Sequence, residues 1–334
     1  MRLFDQESVS AGAKGKSVGA LAIRMLALRR WLTSALVAGA LAAAVAPVLA
    51  QATGEEPPVD PAEAARQERL MKRYDRMIDF NLESVQALEP SALDAKMAEF
   101  ADLALHERIA AWADYFWERR ITTYRHGLKE GGYVREGRLV DDFRTDCVLF
   151  VYRVTELGRS SSALEAVQFA FGTRFYGATL EEVVSEDGRV DYDNPVHIDY
   201  GIEMIRSGIW GRDVTDTLGT TVADPDGSGR FPPGSISFVP QASLQYERLR
   251  DGDIVYFVTD PETPGGARTR EAGAIIGHMG VIKVERGIPY LFHAASDPIE
   301  GVYAGGQVEK VRLDVYLERV ETFKGIMATR ITSF

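Results

Sequence analysis

The chain has 334 residues, a formal net charge of −11 at pH 7 and 46% hydrophobic residues, and it contains a single cysteine. This length can bury a sizeable hydrophobic core as one large domain, or as one domain with an extension. Because an acidic surface repels nucleic acid and anionic lipid, we expect no nucleic-acid partner.

Residues 1–50 have the pattern of a secretory signal peptide. Three arginines precede an uncharged run over 32–45, and Val48-Leu49-Ala50 is a small-x-small cleavage site. The apolar run is short for a membrane span, although an uncleaved N-terminal anchor is the alternative. The leader carries six of the 38 basic and two of the 49 acidic side chains, so the mature chain has a net charge of −15. We expect a periplasmic or secreted protein with no integral membrane span after cleavage.

The next segments predict a tether and a helical extension. Residues 51–61 are rich in Pro and Glu without apolar periodicity, which is typical of a flexible tether. Apolar residues at helical spacing over 62–104 predict a helical N-terminal extension. A further helix is predicted from His106 to about Tyr124, within a domain that we assign to 105–334.

The rest of the chain changes from helical to strand periodicity. A buried helix is predicted over 148–157, and another over 161–171. Five strands are predicted in the C-terminal part, at Asp253–Thr259, Met279–Val284, Pro289–His293, Gln307–Leu313 and Lys324–Ile331. Helices followed by strands indicate an α+β fold class, with an antiparallel sheet packed on helices.

The lone cysteine, Cys147, is the strongest functional signal. Exported proteins meet oxidising conditions, where cysteines usually occur in pairs, so a single one is either buried and inert or needed for chemistry. Cys147 directly precedes an apolar helix, with Thr145-Asp146 as the predicted cap. Free amide groups and partial positive charge at a helix start favour the thiolate, and they can bind the oxyanion of a tetrahedral intermediate. Cys147 is therefore the predicted nucleophile.

A thiol nucleophile needs a base, and two of the five histidines suit that role. His278 and His293 lie on consecutive predicted strands joined by a tight turn at Arg286-Gly287. A turn centred there pairs position 278 with 295 and position 293 with 280, so that the histidines become diagonal neighbours on one sheet face. His278 would accept the thiol proton and His293 would orient it. The alternatives are two structural histidines, or a zinc site formed with Cys147.

These residues also carry a resemblance to a known family. The segments are Asp146-Cys147, Gly252-Asp253-Ile254-Val255, His278-Met279-Gly280-Val281-Ile282 and Phe292-His293-Ala294. In this order they are similar to the motifs of the NlpC-type papain-like cell-wall cysteine amidase superfamily. The resemblance spans about residues 105–334 and implies a papain-like domain. It also implies Cys147, His278 and His293 as the catalytic residues, with no cofactor and no metal.

The C-terminal segments resemble the N-acetylmuramoyl-L-alanine amidase-like branch of that superfamily. They are Ala294-Ala295-Ser296, Tyr316-Leu317 and Gly325-Ile326-Met327-Ala328-Thr329-Arg330. The resemblance implies hydrolysis of the amide between N-acetylmuramic acid and L-alanine in peptidoglycan fragments, with a preference for anhydro-muropeptides. The alternatives are a stem-peptide endopeptidase of the same fold, cutting between D-glutamate and diaminopimelate, and a catalytically silent envelope-binding protein.

Further site residues are predicted by the same resemblance. Tyr124 is the candidate for the oxyanion site, and the candidates for substrate contacts are Asp146, Tyr192, His197 and Ser296. Around His197 the chain departs from the Arg-x-His-Tyr segment of the branch, because it has Pro at 195 and Ile at 198. This departure bears on the sugar specificity.

Overall fold

A computed structural model describes residues 60–82, 88–229 and 231–332. The predicted leader and nearly all of the predicted tether lie outside these ranges. The described helices are α1 (Pro61–Leu82), α2 (Pro90–Glu99), α3 (Leu105–Arg119), α4 (Cys147–Arg159), α5 (Ala163–Arg174), α6 (Leu180–Val183), α7 (Ile202–Ser207), α8 (Pro264–Glu271) and α9 (Leu313–Arg319). The strands are β1 (Thr123–Tyr124), β2 (Arg144–Thr145), β3 (Arg212–Asp213), β4 (Val222–Ala223), β5 (Ser237–Pro240), β6 (Ile254–Thr259), β7 (Ile276–Glu285), β8 (Ile288–Ala295), β9 (Gln307–Arg312) and β10 (Phe323–Arg330). None of the helices in these ranges has both the length and the apolar character needed to cross a membrane.

The strands form one sheet in the order β2-β1-β9-β8-β7-β6-β10-β5-β4, and β3 pairs with β10 outside this path. β1 and β2 run parallel, whereas the central strands β6 to β10 pair antiparallel. The five strands predicted from the sequence are β6 to β10, and their ends differ from the prediction by at most three residues. The structure is thus a mixed α/β fold with a large, mostly antiparallel sheet. Its assignment as papain-like stays a prediction.

The central strands are apolar because both faces of the sheet are covered. β6 has the sequence IVYFVT and is buried at all six positions. Alternate side chains of a strand point to opposite faces, so they enter two separate clusters. Tyr256 packs in the cluster beneath α3 and α4, whereas Phe257 packs in the cluster beneath α9. The histidines of the predicted site lie on the α9 side, where His278 contacts the Phe257 ring.

The side-chain amide of Asn81 is one of the buried groups that join the predicted N-terminal extension to the following chain. Asn81, in the last turn of α1, is fully buried, and its side chain donates to the carbonyl of Met77 at 2.8 Å. Its Oδ1 accepts hydrogen bonds from the amides of Leu139 and Val140 at 2.8 and 3.2 Å. Residues from Asp60 onward form one compact unit. The helical extension therefore packs as part of this unit.

The helix predicted to run to Tyr124 ends earlier. α3 stops at Arg119, and Arg120 follows with a φ of 54°, in the left-handed region. Thr123–Tyr124 is strand β1, which pairs with β2 on one side and with β9 on the other. The predicted helix end is wrong because these pairs satisfy the backbone groups in place of helical hydrogen bonds. This pairing puts Tyr124 opposite Thr145, just before α4.

Candidate active site

Cys147 is the first residue of α4, and an aspartate caps the helix as predicted. Asp146 Oδ1 accepts hydrogen bonds from the amides of Val148 and Leu149, both at 3.0 Å. The other carboxylate oxygen accepts from the amide of Gly127 at 2.9 Å, which ties the preceding loop to the helix start. Asp146 is buried. Three backbone amides thus donate to its carboxylate, so Asp146 holds the helix start and the preceding loop together next to the thiol.

The predicted contact between the two histidines is confirmed. His278 Nε2 lies 2.8 Å from His293 Nδ1. The β7–β8 hairpin has the predicted register, with Glu285 opposite Ile288. Its two-residue turn is Arg286-Gly287, with φ values of 53° and 80°. Positive φ at both positions fits a type I′ turn, which matches the twist of antiparallel strands and fixes their register. The turn chemistry therefore brings the two imidazoles together.

Gly280 provides the space that His293 needs. A Cβ at position 280 would lie 2.6 Å from the carbonyl oxygen of Phe292 and 3.1 Å from Cβ of His293. The first distance is shorter than real Cβ contacts allow, and the atom there is backbone, which cannot move aside cheaply. A glycine in β7 therefore lets the backbone of β8 approach closely enough for the histidine contact.

The cysteine lies where the β7–β8 ladder opens. The paired residues of the two strands end at Val281 and Phe292. Beyond that point, the amide of Met279 points toward the sulfur of Cys147. Since Met279 directly follows His278, the start of α4 lies beside the part of β7 that carries this histidine. Because Nε2 of His278 is used by His293, Nδ1 is the ring nitrogen of His278 that is not engaged in this contact.

Aromatic rings surround the histidine pair. The His278 ring stacks against Tyr316 and Phe323, with centroid distances of 5.8 and 6.3 Å and interplanar angles of 29° and 21°. Its ring is tilted by 36° against that of Phe257, at 5.7 Å. His293 is 1% exposed, and Tyr316 meets it edge-on at 5.0 Å. The pair is thus largely screened from water on the α9 side.

The thiolate predicted from the helix start is contradicted. Burial, and next the carboxylate of Asp146, raise the pKa of the Cys147 thiol to about 12. The amides of Met279 and Val148 act in the opposite direction but are outweighed. Burial also lowers the pKa of His278 to about 4. At neutral pH the resting pair is therefore a thiol and a neutral imidazole.

Burial acts on the second histidine in the same direction. The pKa of His293 lies well below its ordinary value because of burial first and His278 second. Its Nε2 is buried and has no hydrogen-bond partner among the described residues. If Nδ1 of His278 is free to accept a proton, Nε2 of that ring carries the hydrogen and donates to His293 Nδ1. His293 is then neutral with its own hydrogen on Nε2.

Of the other predicted residues, Tyr124 and Ser296 lie near the thiol. The side chains of Tyr124 and Ser296 are hydrogen-bonded, and the Ser296 hydroxyl donates to Oδ2 of Asp297 at 2.7 Å. The pKa of Tyr124 is raised by burial, and next by the proximity of Cys147. Burial is the largest cause of the raised pKa values of Tyr200 and Tyr316; Cys147 comes second for Tyr200 and third, after Tyr303, for Tyr316. Tyr316 was not among the predicted site residues, whereas Tyr200 ends the segment 192–200 that contains two of them.

Tyr192 and His197 belong to a different contact network. The Tyr192 hydroxyl donates to the carbonyl of Arg138 at 2.8 Å and accepts from the Arg174 guanidinium at 2.9 Å. His197 packs edge-on against the Tyr192 ring at 5.0 Å. Arg174 is fully buried and forms two hydrogen bonds to Glu156, at 2.9 and 2.8 Å. These contacts hold the segment 192–200 in place. Tyr200, at the end of this segment, is the residue that approaches Cys147.

The described residues contain no group of three or more His, Cys, Asp or Glu side chains arranged to hold a metal ion. The zinc alternative required Cys147, His278 and His293 to turn their donor atoms to one point. In the structure, Nδ1 of His293 is directed at His278 Nε2. The arrangement is that of a thiol beside a hydrogen-bonded imidazole pair, which can carry out nucleophilic acyl transfer.

Comparisons with known proteins give structural similarity only. No family model and no curated protein matches the sequence. The structure is similar to protein LPG0564 of Legionella pneumophila, assigned to family DUF1460, with 14% identity, 73% of this chain and 94% of that chain covered, and a TM-score of 0.51. It is also similar to an N-acetylmuramoyl-L-alanine amidase of Bacteroides uniformis, with 19% identity, coverage of 69% and 99%, and a TM-score of 0.49. The first similarity shows a shared fold.

Proposed function

We propose that this protein is an exported cysteine amidase. It hydrolyses the amide between N-acetylmuramic acid and L-alanine in peptidoglycan fragments. The observation that carries the reaction type is the hydrogen-bonded His278–His293 pair on β7 and β8, beside the single cysteine at the start of α4. The choice of bond rests on the resemblance of the C-terminal segments to the amidase-like branch.

The first half of the reaction forms a thioester. Nδ1 of His278 accepts the proton of the Cys147 thiol while the sulfur attacks the carbonyl carbon of the muramic acid side chain. The oxyanion is stabilised by the backbone amide of Cys147, which the Asp146 cap does not use, and by the hydroxyl of Tyr124. The C–N bond then breaks, and His278 returns the proton to the nitrogen, which leaves as the amino group of L-alanine.

The second half of the reaction hydrolyses the thioester and regenerates the free thiol. A water molecule gives a proton to Nδ1 of His278 and attacks the thioester carbonyl. The C–S bond breaks and the sulfur regains the proton, so that the products are a carboxylic acid and the free thiol. Because the resting thiol and imidazole are both neutral, proton transfer accompanies nucleophilic attack in each half.

The experiment is an incubation of the purified protein with a soluble anhydro-muropeptide and, in parallel, with a bare tri- or tetrapeptide. Mass spectrometry is expected to detect a free stem peptide beginning with L-alanine and an intact amino sugar, from the muropeptide only. Cleavage of the bare peptide after D-glutamate would instead establish the endopeptidase alternative. Failure to cleave either substrate would contradict the proposed function and leave the silent binding protein.

Two variants control this experiment. Cys147→Ala is expected to abolish hydrolysis while the protein stays folded. His106→Ala is a matched histidine control, because it removes an imidazole from the first turn of α3 instead of from β7. It is expected to retain the activity of the unmodified protein.

A further inference from the structure

Three aromatic side chains from three separate elements converge on His278. Phe257 comes from β6, Tyr316 from α9 and Phe323 from the start of β10. All three rings lie within 6.3 Å of the His278 ring, measured between centroids. Together they form what we call the aromatic slot, defined by Phe257, Tyr316 and Phe323.

Within the aromatic slot, Tyr316 makes contacts that the two phenylalanines do not share. Its ring lies 29° from the plane of His278 and 68° from the plane of His293, at 5.8 and 5.0 Å. The rings of the two histidines are themselves nearly perpendicular, at 88°. A single side chain thus packs along one imidazole and edge-on against the other. Rotation of either ring would disturb its packing with Tyr316.

The tyrosine is also held firmly. Tyr316 is 4% exposed, and its ring packs against Phe257 at 4.9 Å and against Phe323 at 6.2 Å. Its neighbours in α9, Leu313 and Leu317, are buried in the same cluster beneath the helix. The Tyr316 ring is therefore held in place by α9 and by the other two rings of the aromatic slot, and it can in turn hold the ring of His278.

We propose that Tyr316 is a positioning residue for the candidate base. Its ring holds the imidazole of His278 in the plane in which Nε2 meets His293, and it keeps water from the face of that imidazole. This inference rests on the proposed function for its kinetic consequence. The position and the protonation of His278 can be measured without any substrate.

The groups that surround His278 determine how its pKa should respond to the loss of one ring. The titratable groups in contact with its ring are His293 on β8 and Tyr316 on α9, and the thiol of Cys147 on α4 lies at the neighbouring residue Met279; β6 and β10 contribute the uncharged rings of Phe257 and Phe323. Burial is the single cause of the lowered pKa of His278. Removing a ring that provides this burial admits water, which favours the charged imidazole.

The test compares Tyr316→Leu, which removes the ring, with Tyr316→Phe, which keeps it. Both are made in the Cys147→Ala protein, and the ring nitrogens of His278 are followed by NMR as the pH is lowered. Tyr316→Leu is expected to raise the pKa of His278 by at least one unit and to mix its two tautomers. Tyr316→Phe is expected to match the parent protein. Tyr256→Leu is the matched control, since it removes an equally buried ring from β6 on the other face of the sheet.

An unchanged pKa and a single tautomer in Tyr316→Leu would overturn the proposal, as would an equal shift in Tyr256→Leu. If Tyr316→Leu does not fold, Phe323→Leu removes the less buried ring of the slot and is expected to raise the same pKa by a smaller amount. No shift of the His278 pKa in Phe323→Leu would also overturn the proposal.

With Cys147 present, Tyr316→Leu is expected to lower kcat at least tenfold with KM unchanged. Absence of hydrolysis in every variant would count against the proposed function and leave the NMR result valid.

Discussion

Replacing Asp146 by Asn separates the two effects that this side chain has on the site. In the structure, its carboxylate caps α4 through the amides of Val148 and Leu149 and binds the buried amide of Gly127. Its negative charge also raises the pKa of Cys147, second only to burial. An asparagine keeps one oxygen acceptor and has no charge. The variant therefore loses a charge-assisted hydrogen bond and frees the thiol from a nearby anion.

The expected magnitudes follow from these contacts. Leaving one buried amide without its charged acceptor is expected to lower the free energy of unfolding by about 2 kcal/mol, measured by urea denaturation. The pKa of Cys147 is expected to fall below about 12, measured from the pH dependence of iodoacetamide alkylation. The matched control is Ser162→Ala, which removes the cap of α5, a 3.1 Å hydrogen bond from the amide of Glu165. It is expected to cost about 1 kcal/mol and to leave the alkylation profile unchanged.

Either of two results would refute this reasoning. An alkylation profile that is the same in Asp146→Asn and in the unmodified protein would show that the carboxylate does not control the thiol. An equal shift in Ser162→Ala would show that the change comes from general loosening. The structure also predicts that Cys147 alkylates more slowly at neutral pH than an ordinary thiol, because only the thiolate reacts and its pKa is raised.

Three further predictions concern the histidines. Gly280→Ala is expected to displace His293 and to lower kcat about 100-fold, which is within the range of general base catalysis; unchanged kinetics would contradict the close approach. His278→Ala is expected to be nearly inactive, whereas His293→Asn keeps measurable activity; equal, small losses would remove both from the mechanism. Burial, and next the charge of Arg174, lower the pKa of His197 from 6.5 to about 4 in the folded protein. Between these two pH values the folded state binds fewer protons than the unfolded chain, so the free energy of unfolding falls as the pH drops from 6.5 toward 4. His197→Phe is expected to recover up to about 3 kcal/mol of that loss in urea denaturation at pH 4.5, and no recovery would contradict the lowered pKa.

The sequence predicted the features that depend on local spacing. The C-terminal strands followed from short runs rich in β-branched and aromatic residues, and the register that joins His278 to His293 followed from the turn at Arg286-Gly287. The cap of α4 followed from an aspartate immediately before an apolar run. In each case the determinant lies within a few residues of the feature, so a single sequence contains it.

Features that depend on tertiary packing could not be obtained in the same way. The helix start favours a thiolate at Cys147, but the opposing burial comes from distant segments, and the net effect reverses the local expectation. Tyr316 reaches His278 from a helix 38 residues further along the chain, and no spacing rule connects the two. The sequence predicted a substrate contact for Tyr192, but in the structure the buried guanidinium of Arg174, from α5, donates a hydrogen bond to its hydroxyl.

The proposed function depends on the formation of a thioester between Cys147 and the muramic acid side of the substrate. The most direct test is the intact mass of the protein, measured after it is mixed with an anhydro-muropeptide and quenched with acid within seconds. We expect an adduct on Cys147 with the mass of the acyl group that carries the amino sugar, and no adduct in Cys147→Ala. An adduct that contains L-alanine and D-glutamate would contradict the choice of bond. An adduct of either kind in Cys147→Ala would contradict the nucleophile itself.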